Sequence, residues 1–304
     1  METSITVLHT LLLPDFPSAS AIIYADEQLY LVGDDATCIL VLDRHYGEVA
    51  RIPIAEAPSK RIAKALKQDF EAATVITRQD QSYLLVTGSL STPQRCQLLL
   101  MPLPAGAPLE RFPYPADVLL QLTASGVKEW NIEGATVIGN TLLLGNRGHD
   151  GHPVNQLVLV RDGFWEQPGT TGISVLPLTL ATPTPVFAGV SDLCYVPEKD
   201  WLLCTLSSEA TASTYDDGAV GDSYIGWVTN ISKKLSGTSL VIEGWLNLAT
   251  ASPVFNQEKI EGICVERVAT DHLLLHLVSD NDGGESGLFK IRMSFTDKND
   301  PPKI

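Results

Sequence analysis

An acidic residue at the head of a strand that should be buried recurs along this chain, and the recurrence restricts the fold more than any other feature. Its clearest copy is Asn131–Gly148, NIEGATVIGNTLLLGNRG. Glu133 opens an apolar run, and Gly139 and Asn140 join that run to Thr141–Leu144. Two apolar runs around a Gly-Asn turn predict a β-hairpin. Lys259–Val265 (KIEGICV) is the closest second copy, with Glu261 in the acid's place. Asp69–Val75 (DFEAATV) supplies Glu71, and Val190–Val196 (VSDLCYV) offers Asp192 as a looser match. Near the start, Ala21–Tyr24 holds the equivalent place without an acid. The copies recur at intervals of roughly 60 to 70 residues, with about four strand-like segments in each, which is the signature of propeller blades.

The expected fold is therefore all-β: one β-propeller domain over residues 1–304. Its blades are expected near residues 20–55, 69–113, 131–181, 188–248 and 259–295. The last of these runs out one strand short. The alternating segment Ser4–Leu13 is unpaired and free to supply that outer strand, closing the ring and removing an exposed edge. Five blades follow, and six would require an extra blade hidden in Leu206–Asn256. Two helices are expected on the connections, over Ser59–Gln68, where Lys60, Arg61, Lys64 and Lys67 form a basic cluster, and over Pro115–Leu122.

Net charge is −15, which argues against a nucleic-acid partner, because phosphate binding needs a basic face. The five cysteines form no CxxC pair and mostly lie in apolar runs, so they are expected as reduced core residues. Cys194 and Cys204 are the pair to check, being on neighbouring strands. The N-terminal apolar run has no Lys or Arg before it, unlike a signal peptide, and no apolar stretch is long enough to span a bilayer. The expectation is a monomeric cytoplasmic protein with a small-molecule ligand.

Propeller topology turns the repeat into a site. The loop entering each first strand and the loop leaving each second strand share one face, so Glu71, Glu133, Asp192 and Glu261 are expected around one mouth of the channel. Around them are expected Asp34, Asp35, Ser89, Asn146, Arg147, Glu209 and the stretch Asp280–Asp282. Converging carboxylates repel unless something positive lies between them. A divalent cation held by the four acids would serve, calcium first because it accepts six to eight oxygens in flexible geometry. A basic side chain, Arg147 or Lys259, would serve too, as would raised carboxyl pKa values of the kind used in acid–base catalysis. Arg147, with Asn146 and Lys67, is the expected holder of a small anionic ligand. Against all of these stands an architectural role, with the acids locking blade to blade. His149 and His152 lie in a Gly-rich loop and read as solvated. His276, on a second strand, reads as a satisfied core histidine. There is no GxSxG elbow, Walker loop or Ser-His-Asp set to nominate.

The segments Asp69–Ala72, Asn131–Gly134 and Lys259–Gly262 resemble the blade starts of phytase-like and SdiA-regulated bacterial β-propellers, and more distantly those of gluconolactonase-type propellers. That resemblance implies a channel-mouth site, often with calcium, and a metal-dependent hydrolase of phosphate esters or lactones. The other function expected of such a fold is a non-catalytic ligand-binding or scaffold propeller whose acid ring is structural.

Overall fold

The computed structural model describes residues 2–56, 59–105, 108–161, 172–210, 219–280 and 284–296. The strands form five small sheets, each an antiparallel meander. Blade one is Ala19–Ala25, Gln28–Gly33, Cys38–Asp43 and Glu48–Pro53. Blade two is Phe70–Arg78, Gln81–Gly88, Gln97–Pro102 and Glu110–Pro113. Blade three is Ile132–Ile138, Thr141–Asn146, Asn155–Val160 and Ile173–Leu180. Blade four is Gly189–Val196, Trp201–Ala210, Ala219–Thr229 and Gly244–Asn247. Blade five is Lys259–Val268, His272–Asp280 and Ser286–Thr296. The first strand of every blade packs against the first strands on either side, so the five close into a ring.

Glu2–Leu13 completes blade five. It pairs antiparallel with Ser286–Thr296 from one end to the other, Glu2 opposite Thr296 and Leu13 opposite Ser286. The missing outer strand thus comes from the other terminus, and the ring has five blades, as the sequence predicts. Blades one and five are fastened again by a buried side-chain chain. Tyr46, from a blade-one turn, lies 2.9 Å from His276 Nδ1, and His276 Nε2 lies 2.7 Å from Glu266. His276 is completely buried and burial pushes its pKa down to about 4, so it is the neutral core histidine that the sequence predicts.

The cores lie between neighbouring blades, where the middle strands bury both faces. That explains why Leu142–Leu144 and Leu157–Val160 are fully buried runs rather than alternating ones. All five cysteines are free: Cys204 and Cys264 are buried, and Cys38, Cys96 and Cys194 are half-buried. Among the described residues, no helix is long and apolar enough to cross a membrane.

Two local features differ from the expectation. The helix over Ser59–Gln68 does not form, although that over Pro115–Leu122 does, as Ala116–Ala124. The basic segment is held to the mouth instead: the Ile62 amide bonds to Asp35 O at 2.7 Å, Arg61 pairs with Asp35, and Lys67 with Asp34. Those tertiary bonds outweigh the helical propensity of a segment too short to be a stable helix by itself. Second, Leu240–Ile242 adds a fifth, parallel strand to blade three against Leu178–Leu180. The connection between the outer strands of blade four thereby covers its neighbour's open edge and buries Leu240 and Ile242. Of the polar insert Ser207–Gly221, residues 211–218 lie outside the described residues, as do Asn281 and Asp282.

Candidate functional site at the mouth of the ring

Every inner strand carries a β-bulge at the same place. The register shifts between Ala19 and Ala21, Phe70 and Ala72, Ile132 and Gly134, Val190 and Asp192, and Ile260 and Gly262. The extra residues are Ser20, Glu71, Glu133, Ser191 and Glu261, so the structural repeat has three glutamates and two serines. A bulge re-aims one side chain and ends regular pairing. This alignment corrects the sequence pattern in two blades: the equivalent residue is Ser20 rather than Ala21, and Ser191 rather than Asp192. The serines are fasteners. Ser20 Oγ donates to Phe70 O at 2.6 Å and Ser191 Oγ to Ile260 O at 2.7 Å, each bond reaching the next blade just before its bulge.

Asp192 follows its bulge by one residue and stands apart from the glutamates. Its carboxylate accepts from the amides of Leu193 (2.7 Å) and Ile263 (2.8 Å), tying blade four to blade five. Burial raises its pKa, and those N–H groups with that of Ala135 work the other way. The glycines after the glutamates have a related cause. A Cβ on Gly134 would lie 2.7 Å from Asp192 Cα, and one on Gly262 3.0 Å from Ile22 N, because the inner strands touch backbone to backbone there.

A second repeated bond brings the remaining side chains to the mouth. The first residue after the second strand donates its amide to the carbonyl two residues before the bulge: Asp34 to Ser18 (3.0 Å), Ser89 to Asp69 (3.0 Å) and Arg147 to Asn131 (2.8 Å). Asp34, Ser89 and Arg147 are therefore delivered to the mouth, as expected.

Two charge clusters result. In the first, the Arg147 guanidinium lies 3.5 Å from Glu209, 3.7 Å from Glu261 and 3.9 Å from Glu133. Lys259 lies 2.9 Å from Glu261 and 3.1 Å from Glu209. Asn131 Nδ2 donates to Glu133 Oε1 at 2.7 Å. Asn146 is a scaffold residue, its Oδ1 accepting from the Asn131 amide and its Nδ2 donating to Glu129 O and Gln156 Oε1. Burial, Glu261 and Asp69 push the Glu133 pKa up to about 7 against the pull of Arg147 and Lys259.

In the second cluster, the Lys67 ammonium lies 2.8 Å from Asp69 and also pairs with Asp34. Asp69 further holds Arg95 at 2.8 Å and accepts from Ser89 Oγ at 2.6 Å. Oxygens of Asp34, Asp69 and Glu71 lie within 4.8 Å of one another, the group of three that could share an ion among the described residues. Of the four acids expected to hold a cation, only Glu71 belongs to it. Burial, helped by Asp35, raises the Asp34 pKa to about 6 although Lys67 opposes it. Glu71 hydrogen-bonds to none of the described residues, and burial together with Asp69, Asp34 and Glu133 raises its pKa well above the ordinary range. Lys67, expected to hold an anionic ligand, is instead engaged by Asp34 and Asp69, and Arg95 is the partner that sequence reasoning missed, lying in a short turn with no motif around it. His149 stays outside both clusters, 2.6 Å from Glu129.

Among solved structures, the chain is similar to the glutaminyl cyclase of Myxococcus xanthus, at 9% identity and a TM-score of 0.54, over 97% of this chain and 98% of that one. It also matches a member of the duf4221 family from Bacteroides vulgatus, at 10% identity and a TM-score of 0.45, over 97% and 99%. The virginiamycin B lyase of Staphylococcus aureus matches at 10% identity and a TM-score of 0.40, over 97% and 100%. At such identities the likeness is one of fold, and the neighbours are bacterial β-propellers of unknown or varied function. No curated protein matches the chain. The family of unknown function DUF6929 matches residues 15–293, and this chain belongs to that family.

Proposed function

We propose that the mouth is a proton-transfer site for a small uncharged or cationic ligand, worked by Glu71 and Glu133. The observation that carries this reading is a pair of bulge glutamates on adjacent blades whose carboxyls interact, one without a hydrogen-bond partner among the described residues and one with a pKa near 7. A carboxyl of that kind exchanges a proton efficiently near neutral pH. Addition of water to a lactone or similar small ester suits such a pair. One carboxylate takes a proton from the attacking water, and the other, protonated, gives one to the leaving oxygen. This keeps the hydrolase class that the resemblance to phytase-like and gluconolactonase-type propellers implies, but not the anionic substrate, since Arg147 and Lys67 are already engaged by carboxylates.

A second reading is favoured by the grouping of Asp34, Asp69 and Glu71, whose oxygens suit a hard divalent cation such as calcium. The cation would replace the Lys67 ammonium between Asp34 and Asp69 and would polarise a substrate oxygen.

The test is hydrolysis of a panel of lactones and small esters from pH 5 to 9 by the wild type, Glu71→Gln and Glu133→Gln, with unfolding followed in calcium, in magnesium and after chelation. Activity lost in both folded variants, with no cation effect, supports the proton-transfer reading. A cation that raises the midpoint in the wild type but not in Glu71→Gln supports the second; at a hundredfold excess over its dissociation constant the gain is about 2.7 kcal/mol. Activity that survives in both variants refutes the first reading. No turnover and no cation effect would leave the acids as fasteners of a non-catalytic propeller.

A further inference from the structure

A cavity of about 730 Å³ opens on the outer flank of blades four and five and uses none of the mouth residues. Its volume is in the range of small-molecule sites, roughly 300–1,000 Å³. Three of the chain's five tryptophans line it: Trp201 at the head of the second strand of blade four, Trp227 near the end of the third, and Trp245 in the outer strand. Thr3 of the closing strand, Thr182 and Asn230 complete its polar edge. The indoles are fixed in place. Trp245 Nε1 donates to Thr182 O at 2.7 Å, and its ring meets Tyr224 edge-on at 5.2 Å. Gly244 lies against Trp227, where a Cβ would come within 2.3 Å of the six-membered ring.

The charges of this cavity are already satisfied. Glu243 is engaged by Lys234 and accepts from Thr229 N at 3.0 Å and Thr229 Oγ1 at 2.7 Å. A cation already sits over Trp201, the Lys199 ammonium being 5.5 Å from the ring centre. A cationic guest finds neither a free carboxylate nor an open Trp201 face, and an anionic one finds no unpaired base among the lining residues. What remains, with Trp227 buried, is the partly exposed ring of Trp245 beside neutral donors and acceptors: the side chains of Thr3, Thr182 and Asn230 hydrogen-bond to none of the described residues. A pyranose ring has that pattern, with an apolar C–H face and a rim of hydroxyls. The geometry points to a binding site for a neutral saccharide in this cavity, independent of the chemistry at the mouth.

The test is a titration of the intact protein with neutral mono- and oligosaccharides built of glucose, galactose, mannose, xylose and N-acetylglucosamine, and with choline as the cationic control. Intrinsic tryptophan fluorescence and calorimetry are the readouts. The expected result is saturable binding of at least one saccharide at up to millimolar concentration, none of choline, and weakening by about tenfold in Trp245→Ala, the loss of one aromatic contact. Asn230→Gly removes an amide from the rim yet keeps a residue at ease at the φ of 49° found there, so it weakens binding without unfolding the blade. Unfolding midpoints of both variants show whether the fold is intact. Absence of binding across the panel, binding unchanged in both variants, or binding of choline alone would overturn the assignment.

Discussion

Replacing Glu133 by glutamine should make the protein more stable at alkaline pH while removing its function. Glu133 is little exposed, at 14% of its side chain, and its pKa is about 7 against an ordinary 4.5. Below pH 4.5 the carboxyl is protonated in both folded and unfolded chains and costs nothing. As pH rises the unfolded chain releases its proton first, so stability falls between 4.5 and 7 and stays low above 7. At about 1.4 kcal/mol per pH unit, the full loss is about 3 kcal/mol, an upper figure because neighbouring acids share the titration. Glutamine keeps an oxygen for Asn131 Nδ2, and Arg147 keeps Glu209 and Glu261. The variant should therefore gain up to about 3 kcal/mol over the wild type at pH 8 relative to pH 4. Urea unfolding of both proteins across that range measures it. Parallel stability curves would refute the reasoning, because the ionised carboxylate would then cost nothing in the fold.

Asp192→Ala should destabilise by about 2–5 kcal/mol, because the amides of Leu193 and Ile263 lose their acceptor, while any response to cations persists; an unchanged urea midpoint would contradict this. Gly134→Ala should cost about 1–3 kcal/mol through its clash with the Asp192 backbone, whereas Gly145→Ala, with nothing nearer than 3.4 Å, should cost much less in the same assay. Removing residues 2–13 should lower the thermal midpoint by uncovering the edge of Ser286–Thr296, and the corresponding peptide added in trans should restore part of it.

The fold was legible because a propeller repeats its constraints. Each blade needs a buried first strand, and the strand count of the last blade pointed to Ser4–Leu13. The site was legible in part. Glu71, Glu133, Glu261, Arg147 and Asp34 were placed at the mouth because topology fixes where strands begin and end. Blade four was misread by one residue, since VSD looks like a degenerate copy of IEG when the acid is matched to the acid. Strand side chains alternate, so a one-residue slip transfers Asp192 from the mouth to the bonds between blades. Ser191 carries no chemical signal that would mark it as the equivalent of a glutamate. Lys67 was expected at the site as a ligand holder, but its pairing was not legible, because the segment reads as a helix and its partners Asp34 and Asp69 are distant from each other in the chain. The fifth strand of blade three was beyond reach because a three-residue parallel pairing leaves no periodicity to detect.

Whether Glu71 and Glu133 form a proton-transfer pair is tested by a carbon-13 NMR titration of the glutamate side-chain carboxyls, with Glu71→Gln and Glu133→Gln used to assign the two resonances. One carboxyl should titrate with a midpoint near 7 and disappear in Glu133→Gln, and a second should titrate well above the ordinary glutamate range and disappear in Glu71→Gln. Titration of both carboxyls at about 4.3, as in unperturbed peptides, would contradict that pairing.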